Sequence, residues 1–276
     1  MGTYKEIRGT HIVSVTSDPP SPVNGQMWYN STDKVIKGFT SNPAGSWSSG
    51  GALNTGGIFG TSNGFGTQST GGVAGRLQEA GPSPGQKANT ELYNGTSWTE
   101  SGDLGTARNA AAVGGTYTSA LHAGGQEPTK STKTESWNGS SWTEVNDLNN
   151  ARRSNSGAGT STNAVAMGGY DGSSRGYTEL WNGSSWTEVA DNPSTGGGAA
   201  FGVYNDALLA QGTTTTLWNG TAWSTTTSGS SSASNRAGLG TTPAGLKTGG
   251  EPPNAGVTAT EEWIAPTTST VTFTVS

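Results

Sequence analysis

Cysteine is absent from this chain of 276 residues, so the sequence carries no mark of its redox compartment. Histidine is nearly absent. His11 and His122 are the only two, and His122 falls inside a strand pattern where a packing role is expected. No HExxH pair, phosphate-cradling P-loop or dinucleotide fingerprint occurs, and neither a cofactor nor a metal is expected. Charge is scarce, at 12% of residues with a net −5. Without a Lys/Arg cluster to neutralise a phosphate backbone, a nucleic-acid partner is not expected. No stretch approaches the roughly 20 apolar residues of a membrane-spanning helix, so no membrane insertion is expected either. The opening Met1-Gly2-Thr3-Tyr4-Lys5-Glu6-Ile7-Arg8 lacks the apolar run of a signal peptide and the Ser/Thr of a myristoylation site.

What the chain does have is a phrase said four times: Tyr93-Asn94-Gly95-Thr96-Ser97-Trp98, Trp137-Asn138-Gly139-Ser140-Ser141-Trp142, Trp181-Asn182-Gly183-Ser184-Ser185-Trp186 and Trp218-Asn219-Gly220-Thr221-Ala222-Trp223. The second tryptophans are spaced 44, 44 and 37 residues apart. That period suits four short strands per unit, as in a β-propeller blade, and is too long for a leucine-rich repeat. Asn-Gly between aromatic flanks predicts a β-hairpin, with positive φ at both central residues if the turn is type I′. With a two-residue loop Trp137 faces Ser140; with a four-residue loop it faces Trp142. Either loop puts both indoles on one face, because side chains alternate with period two. Trp98, Trp137, Trp142, Trp181, Trp186, Trp218 and Trp223 are therefore expected as core, in a chain poor in other large apolar groups. The rival reading makes them exposed platforms for sugars.

Upstream of each hairpin two further strands are legible. A small-residue strand, Ala107 to Gly115 or Ala151 to Gly159, precedes one ending in a glycine doublet, as at Gly124-Gly125 and Gly168-Gly169. The doublet recurs at Gly71-Gly72 and Gly249-Gly250 and weakens to Gln211-Gly212. Small side chains suit a crowded hub, and glycine at a strand end allows a sharp turn or a close backbone approach. High Gly, Ser and Thr alone would suggest disorder, but ten tryptophans, most of them in periodic register, argue against it.

A Gly-Gly doublet followed by two spaced aromatics resembles the kelch motif, from about Ala52 to Trp263. The resemblance implies an all-β, kelch-like β-propeller, and counting units gives five blades of four antiparallel strands. It departs from the family in the Ala-, Ser- and Thr-rich segment before the doublet. The fifth unit reaches Glu261-Glu262-Trp263 without a second tryptophan, while Ala44-Gly45-Ser46-Trp47 stands at the other end without a unit. A ring closed by the Trp47 strand accounts for both fragments and removes exposed edges. The competing closure uses the alternating Thr270 to Val275, leaving the N-terminal hairpin as part of a sixth blade. The domains expected are an attachment arm at 1–22, a propeller at 23–265 and a C-terminal strand or tail at 266–276.

Copper-radical oxidases occur among kelch-type propellers, but their cofactor needs a Cys-crosslinked Tyr, which a chain without cysteine excludes. Glu91, Glu135 and Glu179 precede the first aromatic, and Glu100, Glu144 and Glu188 follow the second. Carboxylates that repeat unit by unit read as scaffold, since a catalytic pair needs unlike surroundings to split its pKa values. No catalytic residue is assigned and no enzyme activity is expected. Arg108, Arg152 and Arg236 open the innermost strands and could line an axial channel. The Asn-Gly-Ser/Thr phrases are formal glycosylation sequons, but the turn requirement already explains them.

Function is expected where the repeat fails. An arm carrying Tyr4, Ile7, Ile12, Val13 and Val15 leads through Asp18-Pro19-Pro20-Ser21-Pro22 into Asn24-Gly25-Gln26-Met27-Trp28-Tyr29-Asn30. This segment resembles the N-terminal portions of bacteriophage tail-fibre and virion appendage proteins, and with the Trp-Asn-Gly units it resembles kelch-like proteins of marine phages. The resemblance implies a virion structural protein, released on the particle: a tail fibre, a short appendage or a head-surface decoration protein, docked on other virion proteins by its arm. It implies many copies or a homo-oligomer, and a propeller displayed for host attachment. Candidate rim contacts for a host-surface glycan are Tyr170, Asp171, Arg175 and Tyr177, with the insertion Ala74 to Asn89 as a second rim element. A free-standing carbohydrate-binding propeller is the alternative; a polysaccharide hydrolase or lyase comes third.

Overall fold

A hairpin turn must bond the backbone groups that the strand ladder leaves unpaired. In Asn138-Gly139-Ser140-Ser141, the Asn138 Oδ1 accepts the N–H groups of Ser140 (3.0 Å) and Ser141 (2.9 Å), and Gly139 takes φ +97°. Only the glycine is left-handed. The connection is thus a four-residue Asx turn, not a type I′ turn with positive φ at both central positions. The same bonds recur at Asn94, Asn182 and Asn219. Four residues set the register, so Trp137 lies opposite Trp142, as Tyr93 does Trp98, Trp181 does Trp186 and Trp218 does Trp223. The three Trp–Trp pairs stack tilted, with ring centroids 5.2, 5.3 and 5.4 Å apart.

The computed structural model describes residues 13–20, 27–32, 35–38, 51–58, 64–67, 69–79, 83–229, 237–242, 244–248 and 260–264. Among them there is strand and turn but no helix. Two compact units divide the chain: Met1–Ser49 with Pro266–Ser276, and Gly50–Ala265. In the first unit β1 (Val13–Val15) pairs parallel with β2 (Met27–Asn30), which forms a hairpin with β3 (Val35–Gly38). Val13–Val15 is therefore joined to the Trp-Tyr-Asn hairpin in one sheet. Tyr4, Ile7, Ile12, Trp47 and the 270–275 segment lie outside the described residues.

The second unit is a series of antiparallel sheets. The first holds β4 (Gly64–Gly66), β5 (Gly71–Gln78), β6 (Gly85–Tyr93) and β7 (Trp98–Glu100). In the second, β8 (Ala112–Thr116), β9 (Ser119–Ala123), β12 (Thr134–Trp137) and β13 (Trp142–Val145) pair in turn. A small ribbon, β10 (Gln126–Glu127) with β11 (Thr129–Lys130), interrupts it. The third is β14 (Ser156–Gly159), β15 (Ala164–Met167), β16 (Thr178–Trp181) and β17 (Trp186–Glu188). The fourth is β18 (Ala199–Val203), β19 (Asp206–Gln211), β20 (Thr214–Trp218) and β21 (Trp223–Thr225). A fifth, three-stranded sheet has β22 (Ala237–Thr241), β23 (Ala244–Thr248) and β24 (Thr260–Ile264). Four four-stranded sheets in this order are propeller-blade-like.

The first strands meet in sequence, β4 on β8, β8 on β14, β14 on β18 and β18 on β22. Their smallness has its reason there: Gly157 and Gly238 stand where an added Cβ would press on the neighbouring strand's backbone. Between sheets lie the tryptophan plates. Trp137 and Trp142 pack with Phe65 and Ala74 of the first sheet, and Trp181 and Trp186 with Ala112, Leu121 and Ala123 of the second. Trp218 packs with Ala158 and Met167 of the third. Exposure is 1–2% for Trp137, Trp181 and Trp218 and at most 8% for Trp142 and Trp186; Trp98 and Trp223 are half-buried.

Indole N–H groups inside a core need acceptors. The first indole of each pair donates to its own sheet's opening turn, as Trp137 does to the Tyr117 carbonyl (2.9 Å) and Trp181 to that of Ser161 (2.8 Å). The second reaches back one sheet. Trp142, Trp186 and Trp223 donate to the Oγ1 atoms of Thr90 (2.8 Å), Thr134 (3.1 Å) and Thr178 (3.0 Å).

Three sequence expectations shift in detail. The first strands start later than expected, because residues 107–111 and 151–155 are connections, with left-handed Ala110 and Ser154. Gly71-Gly72 is not the first sheet's doublet, since Gly71 opens β5 opposite Tyr93. The matching place belongs to Gly75-Arg76, where Gly75 (φ +65°) corresponds to Gly124 (+73°) and Gly168 (+62°). At all three an added Cβ would run into a backbone carbonyl of the next sheet's connection: Arg108, Arg152 or Gly196. Finally, the Ala74 to Asn89 insertion is a regular extension of the β5–β6 hairpin with one bulge.

Candidate functional site

The recurring charged residues resolve into internal ties. Arg108 donates to Glu135 (Nη1 to Oε1, 2.6 Å) and Arg152 to Glu179; all four are 0–1% exposed. Each arginine lies in the connection that enters its sheet and each glutamate on the third strand. Glu135 also accepts the Gly105 N–H (2.6 Å), and Glu179 accepts both the N–H and Nδ2 of Asn149 (2.7 Å each). A buried charge survives only if paired and bonded, and these are. The guanidinium groups of Arg108 and Arg152 are therefore committed to buried carboxylates. Arg236 lies outside the described residues.

The first and fourth sheets show the same constraint by their exceptions. In the first, Gly57 takes the arginine's place, and Arg76 from the neighbouring strand fills the space, 3.8 Å from Glu91. Glu91 is already held by the N–H of Asn54 (2.7 Å) and of Thr55 (2.9 Å). In the fourth, both charges are gone together: Gly196 stands at the arginine's place and Thr216 at the glutamate's, with Asn192 Nδ2 bonded to Thr216 Oγ1 (2.8 Å). His122, fully buried, accepts the Arg108 Nε–H at Nδ1 (3.1 Å). Burial first, and then the Arg108 charge, hold its pKa well below 6.5.

Besides the exposed Asn-Gly turns, the opposite edge also faces solvent. Alternating strand direction sends the connections between second and third strands to that edge, with those leading to the next sheet. There the Arg153 N–H bonds the Tyr170 carbonyl (3.1 Å) and the Tyr170 N–H the Arg153 carbonyl (2.8 Å). The equivalent bridge one sheet earlier joins Asn109 and Gln126. This pinning brings the Arg153 guanidinium 5.2 Å from the centroid of the exposed Tyr170 ring and its Nη1 to Gln126 Oε1 (2.8 Å). Lys130, from the β10–β11 ribbon, places Nζ 6.0 Å from the same ring. Both are in cation–π range.

The sequence-predicted rim residues stand together here. Arg175 Nε donates to both Asp171 oxygens (2.9 Å each), the Tyr177 hydroxyl leans on Asp171 Oδ2 (3.4 Å), and the Arg175 guanidinium lies 5.7 Å from the Tyr177 ring. The Arg175 hydrogen bond lowers the Asp171 pKa, and Asp171 in turn raises that of Arg175. Sequence reasoning missed Arg153, Lys130 and Gln126. One signal was available: Arg152-Arg153 stands where the preceding unit has Arg108-Asn109.

In the first unit, Asp18 Oδ1 accepts the Trp28 indole N–H (3.0 Å) and Asn30 Nδ2 (2.9 Å), tying the proline-rich stretch to the hairpin. Trp28 is buried, while Val13 on β1 is 47% exposed and Val15 is half-buried. Among the described residues no group of three or more His, Cys, Asp or Glu could hold a metal ion. No helix among them is long and apolar enough to cross a membrane. No protein-family model matches the chain, and no curated protein matches it.

Proposed function

We propose that this chain is a non-enzymatic virion structural protein: an attachment unit around residues 13–38 carrying a kelch-like propeller of five blades that faces the host surface. The observation that carries it is the Asp18–Trp28–Asn30 knot. It gives the Pro-rich stretch and the Trp-Tyr-Asn hairpin, the segment resembling phage appendage proteins, a fold of its own. Val13 on its edge strand is left exposed for a docking partner.

Five blades are supported by register. Gly51 and Asn54 follow Trp47 by four and seven residues, as Asn146 and Asn149 follow Trp142. Against the first sheet Asn54 donates to Glu91 and the Trp98 carbonyl, as Asn149 donates to Glu179 and the Trp186 carbonyl against the third. In sequence, Trp47 therefore keeps the spacing that the second tryptophan of a unit has to the segment following it.

The test is incorporation. Particles assembled with D18A/W28A protein, or with residues 1–22 deleted, should lack the protein while its repeat sheets unfold at an unchanged denaturant midpoint. Normal incorporation of both would refute the reading. The Lys130–Arg153–Tyr170 cluster supports the glycan-binding alternative, which attachment does not exclude.

A further inference from the structure

We infer that the rim of the second and third sheets is a binding site for an acidic saccharide, a pyranose bearing a carboxylate, which rests on the proposed host-surface role of the propeller. In a chain of net charge −5, four of the 14 Lys and Arg residues, Lys130, Lys133, Arg153 and Arg175, gather on this one edge. Three other arginines, Arg76, Arg108 and Arg152, are spent on buried glutamates. Lys133 is balanced by Glu127 (3.8 Å) and Arg175 by Asp171, so neither acid is left to repel an anion uncompensated.

Lys130 and Arg153 have aromatic and amide partners instead. Both approach the Tyr170 ring, and Arg153 also bonds the neutral Gln126. A carboxylate between them would gain two charge-assisted bonds, with an exposed aromatic beside it for the apolar face of a sugar ring. A second observation points the same way. The Gln211 amide has neither its Nε2 nor its Oε1 bonded, though both atoms are buried. It lies at Gly196 beside Ser174, where a Cβ on Gly196 would be 3.3 Å from Gln211 Nε2 and 3.7 Å from Ser174 Oγ. Gly196 itself bonds the Arg175 carbonyl (2.8 Å). A buried amide without partners is costly, so a side-chain rotation that brings it to a sugar hydroxyl would be favoured.

The experiment titrates the full-length protein with polygalacturonate, with its methyl ester (the same sugar without charge), with neutral dextran and with inorganic phosphate. Binding to polygalacturonate is expected, weakened at least about tenfold by esterification, by K130Q/R153Q and by raising salt to about 1 M, where the screening length falls to about 3 Å. Tyr170→Ala should weaken it about as much, and R153K should retain part of it; unfolding midpoints check that each variant is folded. Binding of the ester or dextran equal to that of polygalacturonate overturns the acidic preference while leaving a glycan-binding rim. Phosphate competing as well as free galacturonate reduces the site to an anion site and also overturns it. Absence of binding to every saccharide overturns both glycan readings but leaves incorporation by the N-terminal unit standing.

Discussion

Replacing Glu179 with Thr, which is what the fourth sheet carries at the same place, should be far worse alone than with Arg152 also removed. Alone, E179T leaves the Arg152 guanidinium 0% exposed with only the carbonyls of Asn150 (3.1 Å) and Ala166 (3.4 Å) as acceptors. Breaking one side of a buried pair costs about 3–5 kcal/mol. The reverse change, R152M, leaves Glu179 with two Asn149 donors at 2.7 Å, and should fall at the lower end of that range. The double variant R152M/E179T removes both charges and keeps an apolar stem, so it should lie within about 2 kcal/mol of the parent. Set against a total stability of about 5–15 kcal/mol, the singles are readily measured. The assay is urea unfolding followed by tryptophan fluorescence and far-UV circular dichroism, accepted only where the two transitions coincide. The double should cost at least about 2 kcal/mol less than the sum of the singles. Simple additivity would refute the claim that the charges are retained for each other.

The same geometry gives three further expected outcomes. Arg76→Met should cost under about 2 kcal/mol, less than Arg108→Met, because Glu91 keeps two backbone donors without it; equal losses in urea unfolding would contradict this. His122 stays neutral when folded, whereas the unfolded chain takes a proton below about pH 6.5. Its contribution is therefore complete above that value and is lost as pH falls; going from about pH 7.5 to 5.5 should cost about 1 kcal/mol that H122Q does not lose. Gly168→Ala should destabilise strongly, by more than about 2 kcal/mol, since φ +62° is combined with a collision at the Gly196 carbonyl. Gly172→Ala, at a φ of +135° but in open space, should cost less in the same urea unfolding.

The order of strands within a unit and the shared face of the indoles were legible because both follow from period-two alternation, which any even loop preserves. Loop length was not legible for the same reason: Trp137 facing Ser140 or Trp142 leaves the pattern of buried residues unchanged. The kinship of Gly75-Arg76 with Gly124-Gly125 was hidden by the nearer Gly71-Gly72, since a doublet without its pairing partner has no register. Arg108 and Arg152 looked available because each glutamate lies 27 residues downstream, on a strand two removed. That recurring interval, and the joint loss of both charges in the fourth unit, were the signals to follow. Tyr170, Asp171, Arg175 and Tyr177 stood out as one loop, whereas Lys130 and Arg153 reach it from different connections that only the fold brings together.

The backward reach of the second indoles gives assembly a direction. Thr90 leaves the ribosome 52 residues before Trp142, and Thr134 by the same interval before Trp186, so every newly synthesised module finds its anchor point already built. Growth from the amino end can therefore proceed like masonry, each course laid on one that has set. A nascent chain halted after Trp186 would hold three mutually fastened modules and no orphaned latch.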